Sequence, residues 1–209
     1  MMGLGASERV PILHFMTNPS GTTATNVTVR YEIENALSRF TVQAFAVGFL
    51  STFGHDPVIS IPDFSGEAKL AEDITQSSLT LTVNPASLKV VSEVSDRDRA
   101  EVERIMREKV LEIDRYDQII YKCSKISASS TGEGQYWTAL NGELTLHGIT
   151  HNLNIPARVS LNGDTLRASG NFAVLQTAYD IDLVSVAGGA IKVKDELKFS
   201  FEIVAKRGD

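Results

Sequence analysis

The sequence predicts an all-β chain, an antiparallel sandwich or small barrel that carries one inserted amphipathic α-helix. Three observations predict it. From Val27 onward, short stretches rich in Val, Ile, Thr, Phe and Tyr alternate with Gly, Asn, Asp or Pro turns. Within those stretches apolar and polar residues alternate with period two, which gives each strand one dry and one wet face. A single stretch near the middle abandons that period and repeats its apolar residues at helical spacing.

Taken in order, residues 1–26 end in the polar, turn-prone run Asn18–Asn26 and show no periodic apolar face. They are expected to form an N-terminal arm or tail, with one β domain over 27–207. Phe40, Val42, Ala44 and Ala46 share one face of the next stretch, and Leu79, Leu81 and Val83 alternate with Thr80 and Thr82. Ser95, Asp96 and Asp98 offer capping side chains. Val102, Ile105, Met106, Val110 and Ile113 then recur with a helical period, so a helix is expected over about Asp98 to Ile113. Leu140, Leu144 and Leu146 form a dry face, followed by Ile149, Leu153, Ile155, Ala157, Val159 and Leu161 on the next strand. Gly148 is the expected turn between those two strands. Asn162-Gly163-Asp164 is a hairpin signal, because Asn and Gly accept the positive φ of tight primed turns. The last strand alternates Leu197, Phe199, Phe201 and Ile203 with charged and polar residues.

Composition narrows the function. The 209 residues carry a net charge of -6, with 43% hydrophobic and 22% charged residues, which is globular and short of the basic surface a nucleic-acid or anionic-membrane binder needs. No nucleic-acid partner is expected. The single cysteine, Cys123, excludes an intrachain disulfide and a Cys-rich metal site. No apolar run approaches the roughly 18 residues of a membrane-spanning helix, the best being Val10–Met16 and Phe45–Leu50. A basic start followed by a long apolar run is also missing, so a cytoplasmic location is expected.

Candidate chemistry is sparse. Neither a Gly-x-Ser-x-Gly elbow nor a phosphate-cradling glycine loop opening a helix is present, and Cys123 shares a strand face with Ile119 and Tyr121, as an inert core thiol would. A non-catalytic binding protein is therefore expected, with no cofactor required. One alternative is a metal site drawn from His55, His147 and His151, although those histidines lack the helical spacing that aims a pair at one ion. Strand parity groups His151 with Ile149 and Leu153, on the apolar face or at its rim. The other constellation is apolar. Phe40, Val42 and Ala44 form a dry face of decreasing size, with Phe45, Phe49 and Phe53 supplying bulk nearby. Small and aromatic residues lining a barrel either leave a cavity or close into an ordinary core, and the sequence allows both.

Several stretches resemble a known family. They are Tyr31–Val42 leading to Phe53-Gly-His-Asp56; Phe64-Ser-Gly66 before Leu79–Val83; Arg99–Leu111 leading to Ile119-Ile-Tyr121; Leu140–His151; Gly170-x-Phe172; and Thr177-Ala-Tyr-Asp-Ile181. Together, over about residues 29–205, they resemble the YceI-like family, the polyisoprenoid-binding, lipocalin-like proteins of bacteria. Departures are Asp117 after Tyr116, where the family often has proline, and His151, where a basic residue is frequent. The resemblance implies a lipocalin-like antiparallel barrel of about eight strands, with the helix packed on it and an elongated apolar tunnel inside. It further implies a bound polyisoprenoid, quinone-like or fatty acyl lipid, and a periplasmic location as the alternative. Expected lining residues are Phe40, Val42, Ala44, Phe45, Phe49, Phe53, Leu81, Leu144, Leu146, Leu153, Phe172, Phe199 and Phe201, with His55 and His151 as candidates for the head-group end. Barrels of this kind often pair through an exposed strand or helix, so a homodimer is a partner to test for.

Overall fold

The computed structural model describes residues 28–47, 56–186 and 191–208. The N-terminal arm expected over 1–26, and Phe49, Phe53 and His55, lie outside the described residues. Long antiparallel strands dominate. They are β1 (Thr28–Ile33), β2 (Arg39–Gln43), β3 (Ala46–Val47), β4 (Val58–Ser60), β5 (Phe64–Ala71), β6 (Ser78–Val83) and β7 (Lys89–Val90). After the helix follow β8 (Ile119–Gly132), β9 (Gln135–Leu146), β10 (Ile149–Asn162), β11 (Thr165–Leu175), β12 (Ser185–Val186), β13 (Ile191–Val193) and β14 (Glu196–Arg207).

Hydrogen-bonded neighbours run β1-β5-β6-β8-β9-β10-β11-β14, and β14 pairs back to β1, so the sheet closes into an eight-stranded barrel, as the family resemblance implies and the alternation allows. β2, β4 and β7 extend it beyond β14. Their registers show why. β1 and β2 both run antiparallel along β14, Ile33 opposite Ala205 and Arg39 opposite Glu202, so they form one line broken at 34–38. β4 and β5 form a second such line, and β6 with β7 a third.

Polar side chains satisfy the backbone at these breaks. Ser38 Oγ accepts from Val204 N at 3.0 Å, Asn35 Nδ2 donates to the Phe64 carbonyl at 3.1 Å, and Asn84 Oδ1 accepts from Ala86 N at 3.1 Å ahead of Pro85. The interruptions let the strands bend without orphaning buried amides.

Turns follow the expected chemistry. His147 (φ 51°) and Gly148 (φ 76°) supply the two positive φ values of the β9–β10 hairpin, and Gly163 (φ 55°) turns β10 into β11. The helix α1 spans Asp96–Ile105, starting two residues before the expected Asp98 because Ser95 Oγ accepts from Asp98 N at 3.1 Å and caps it. A π-helical turn, Met106–Val110, continues it.

Two apolar clusters fill the barrel unequally. A small one of Tyr31, Leu166 and Ala205, packed with Val29, Leu70, Val159 and Leu161, shuts the end near the β10–β11 turn. Tyr31 also donates from its hydroxyl to Gly163 O. The large cluster occupies the middle and the opposite end, where α1 and the segment after it lie. No helix among the described residues is long and apolar enough to cross a membrane.

Candidate functional site: an apolar cavity under the helix

The inward faces of the strands should be buried as completely as any core, yet several are not. Leu79, Leu81, Leu140, Leu153, Phe172, Leu197, Phe199 and Phe201 are only half-buried although they point inward and pack on the large cluster. Their exposed surface faces a cavity of about 570 Å³, within the roughly 300–1,000 Å³ typical of small-molecule sites. Alternation decides which face of a strand is dry. It does not decide whether the enclosed space is filled.

Of the residues expected to line an interior, Phe40, Val42, Ala44, Leu81, Leu144, Leu146, Leu153, Phe172, Phe199 and Phe201 are on the cavity wall. The phenylalanines form one aromatic wall: Phe172 and Phe199 stack with centroids 4.8 Å apart and an interplanar angle of 4°, with Phe40 and Phe201 tilted against them.

Two expected residues are elsewhere. Phe45 follows Ala44 by one residue and so takes the opposite face, where the ammonium groups of Lys194 and Lys198 lie 5.5 and 5.2 Å from its ring centroid. His151 pairs with the inward Leu144, yet its side chain is exposed. Its Nε2 donates to the Ala178 carbonyl at 2.8 Å, and its ring stands edge-on to Tyr179. The Phe45 reading is corrected to a position off the wall; His151, a candidate for the head-group end, is exposed beside the Gln176–Tyr179 turn.

Of the three histidines of the metal alternative, His55 lies outside the described residues and the other two are held by backbone carbonyls. His147 Nδ1 donates to Tyr179 O at 3.1 Å, His151 is committed to Ala178, and no cluster of three or more ligand-type side chains occurs among the described residues. His147 serves a packing role instead. Its ring lies 4.4 Å from that of Tyr116, which fastens the chain after α1 to the β9–β10 turn.

The helix covers the open end of the cavity without plugging it. No side chain of α1 is buried; Val102 remains 38% exposed while lining the cavity with Ile105 and Met106. The sequence signals helical amphipathicity here, and the apolar face meets the cavity instead of a packed core. Val83 and Ile155, on the dry faces that alternation marks, also line it, as do Ile59, Ile61 and Leu88, whose short strand β4 and connecting segments are too brief for a period to show.

Polar groups at the wall are few. Among the described residues they are Asp98, Glu101, Tyr121 and Gln176, with no lysine, arginine or histidine. Tyr121 donates to Leu140 O at 2.8 Å, and burial pushes its phenol well above the usual range, so it stays neutral. Gln176, 3% exposed, begins the 3-10 turn Gln176–Tyr179. Asp195 accepts from Thr177 N at 2.8 Å and Thr177 Oγ1 at 2.6 Å; these bonds hold its carboxyl below the usual carboxylate range and pin that turn to the start of β14.

Cys123 is 2% exposed and burial pushes its thiol up, so it is a core residue beside the cavity wall. The native protein is expected to react with a disulfide reagent at pH 8 at least ~100-fold more slowly than the urea-unfolded chain, because thiolate and access are both suppressed. Equal rates would place the thiol at the surface.

The family model described as a YceI-like domain matches residues 21–205. The fold is similar to the crystal structure of Burkholderia cenocepacia BcnA, with a TM-score of 0.63 and 18% identity over 83% of this chain and 99% of that one. A polyisoprenoid binding domain from Saccharophagus degradans, implicated in plant cell wall breakdown, gives 0.60 and 10% identity over 85% and 98%. The Campylobacter jejuni YCEI protein gives 0.53 and 11% identity over 72% and 85%. Among curated proteins none matches. With the family model spanning most of its length and the barrel shared with those structures, the chain belongs to the YceI-like family.

Proposed function

We propose that the barrel binds, and thereby stores or carries, one long-chain apolar or amphiphilic molecule of the polyisoprenoid, quinone-like or fatty acyl class, without catalysis. The observation that carries this reading is the interior itself. A cavity of about 570 Å³ is walled by inward side chains whose apolar surface is left unfinished until a ligand covers it. The polyisoprenoid binding named for the Saccharophagus degradans domain supports the same reading.

Magnitudes favour a long chain. Each buried CH₂ contributes about 0.8 kcal/mol, whereas association costs about 4–15 kcal/mol in lost freedom, so a tail shorter than roughly ten carbons is held weakly. The absence of any lysine, arginine or histidine from the described wall leaves burial of the tail as the main source of affinity.

Displacement of an apolar fluorescent probe by fatty alcohols of increasing length tests the proposal. Affinity is expected to rise about fourfold per added CH₂ until the cavity is full, with a parallel rise in Tm. If no chain length displaces the probe or raises Tm, the barrel is a closed structural domain.

A further inference from the structure

The polar atoms on the cavity wall are asymmetric in what they offer. Gln176 Nε2 donates to the backbone carbonyls of Lys194 at 2.8 Å and Asp195 at 3.5 Å, which fixes the orientation of the amide because only its nitrogen can face two acceptors. The amide nitrogen is thereby turned toward the start of β14 and held there. Gln176 Oε1 receives no hydrogen bond from any described residue, although the side chain is 97% buried and belongs to the cavity wall. Tyr121 has a single hydroxyl hydrogen, already given to Leu140 O.

The remaining polar wall residues, Asp98 and Glu101, are acceptors too. Asp98 takes the Ser95 hydroxyl at 2.6 Å, and Glu101 takes Arg104 at 2.8 and 3.0 Å. Arg99, on the first turn of α1, is committed to the carbonyls of Val90 and Ser92. The wall therefore presents free acceptors and no free side-chain donor among the described residues.

We propose that, among ligands with the same tail, the cavity selects those ending in a hydroxyl, with Gln176 Oε1 accepting the hydroxyl proton. This presupposes that the cavity takes a long apolar chain. A phosphate or carboxylate head brings acceptors and negative charge to a wall that offers more acceptors, and its desolvation goes unrewarded. An ether of the same length leaves the Gln176 oxygen unpaired.

Calorimetric titration of the delipidated full chain with farnesol, farnesyl methyl ether and farnesyl phosphate decides it. Farnesol is expected to bind roughly five- to tenfold more tightly than the ether and at least tenfold more tightly than the phosphate. Gln176→Met is expected to bring farnesol down to the affinity of the ether. Equal affinity of the wild-type protein for alcohol and ether, tighter binding of the phosphate, or an alcohol preference that survives Gln176→Met overturns the proposal while leaving the apolar-ligand reading in place. Failure of all three probes to bind overturns both. If Gln176→Met does not fold, the wild-type series of three probes decides alone.

Discussion

Replacing Leu153 by tryptophan is expected to abolish uptake of a long-chain ligand and leave the ligand-free protein folded. Leu153 lies on β10, opposite Gly142 of β9, and lines the cavity while only half-buried. A larger side chain in a well-packed core costs about 1–3 kcal/mol through strained rotamers and shifted backbone. Here the indole has empty volume to enter, so the change in stability is expected to stay within ~1 kcal/mol and to move Tm by no more than about 4 °C. The space taken is the space a tail needs, and affinity is expected to fall at least ~100-fold. Measuring Tm and affinity on the same preparation separates the outcomes. Loss of stability with no binding in either protein would mean a filled core, and unchanged affinity would place the ligand elsewhere.

Gly142→Ala should do the reverse and strike the fold. Gly142 faces inward beneath the Tyr121 ring, and a Cβ there would stand 2.7 Å from Tyr121 Cζ and Oη and 2.4 Å from the Lys122 carbonyl oxygen. The ring cannot yield freely. Tyr121 is 4% exposed, and its hydroxyl is held by Leu140 O. Overpacking at about 1–3 kcal/mol, with a buried hydroxyl deprived of its partner at about 1–3 kcal/mol more, gives an expected loss of about 3–5 kcal/mol. Tm would drop by roughly 10 °C, at about 2–4 °C per kcal/mol for a chain of this size. A drop below about 2 °C would show that the Tyr121 ring is not fixed over Gly142.

How much of this was legible depends on which physical signal each feature leaves in the chain. Period-two alternation in β9, β10 and β14 made the β architecture readable, since it marks one dry face along strands of 12–14 residues. Ser95 and the acidic residues after it made the helix start readable. The broken lines were hidden: β4 and β7 span 3 and 2 residues, too short for a period to appear, and the alignment of β4 with β5, through β2 and β1, and of β7 with β6, through β4 and β5, exists only in the pairing.

The site was readable in kind but not in detail. Phe45 belongs to an aromatic-rich stretch, but a single residue of parity turns it toward Lys194 and Lys198. His151 has the right parity and is drawn to a carbonyl at the rim. Gln176 left no signal, since a lone glutamine before a turn reads as surface until the Lys194 carbonyl is seen to hold it.

Organic extraction of the purified, folded protein followed by mass spectrometry tests the central claim most directly. A near-stoichiometric long-chain lipid, lost from Leu153→Trp prepared in the same way, is the expected result. Protein free of lipid, which also shows no Tm change when long-chain alcohols are supplied, would contradict the cavity's role as a ligand site.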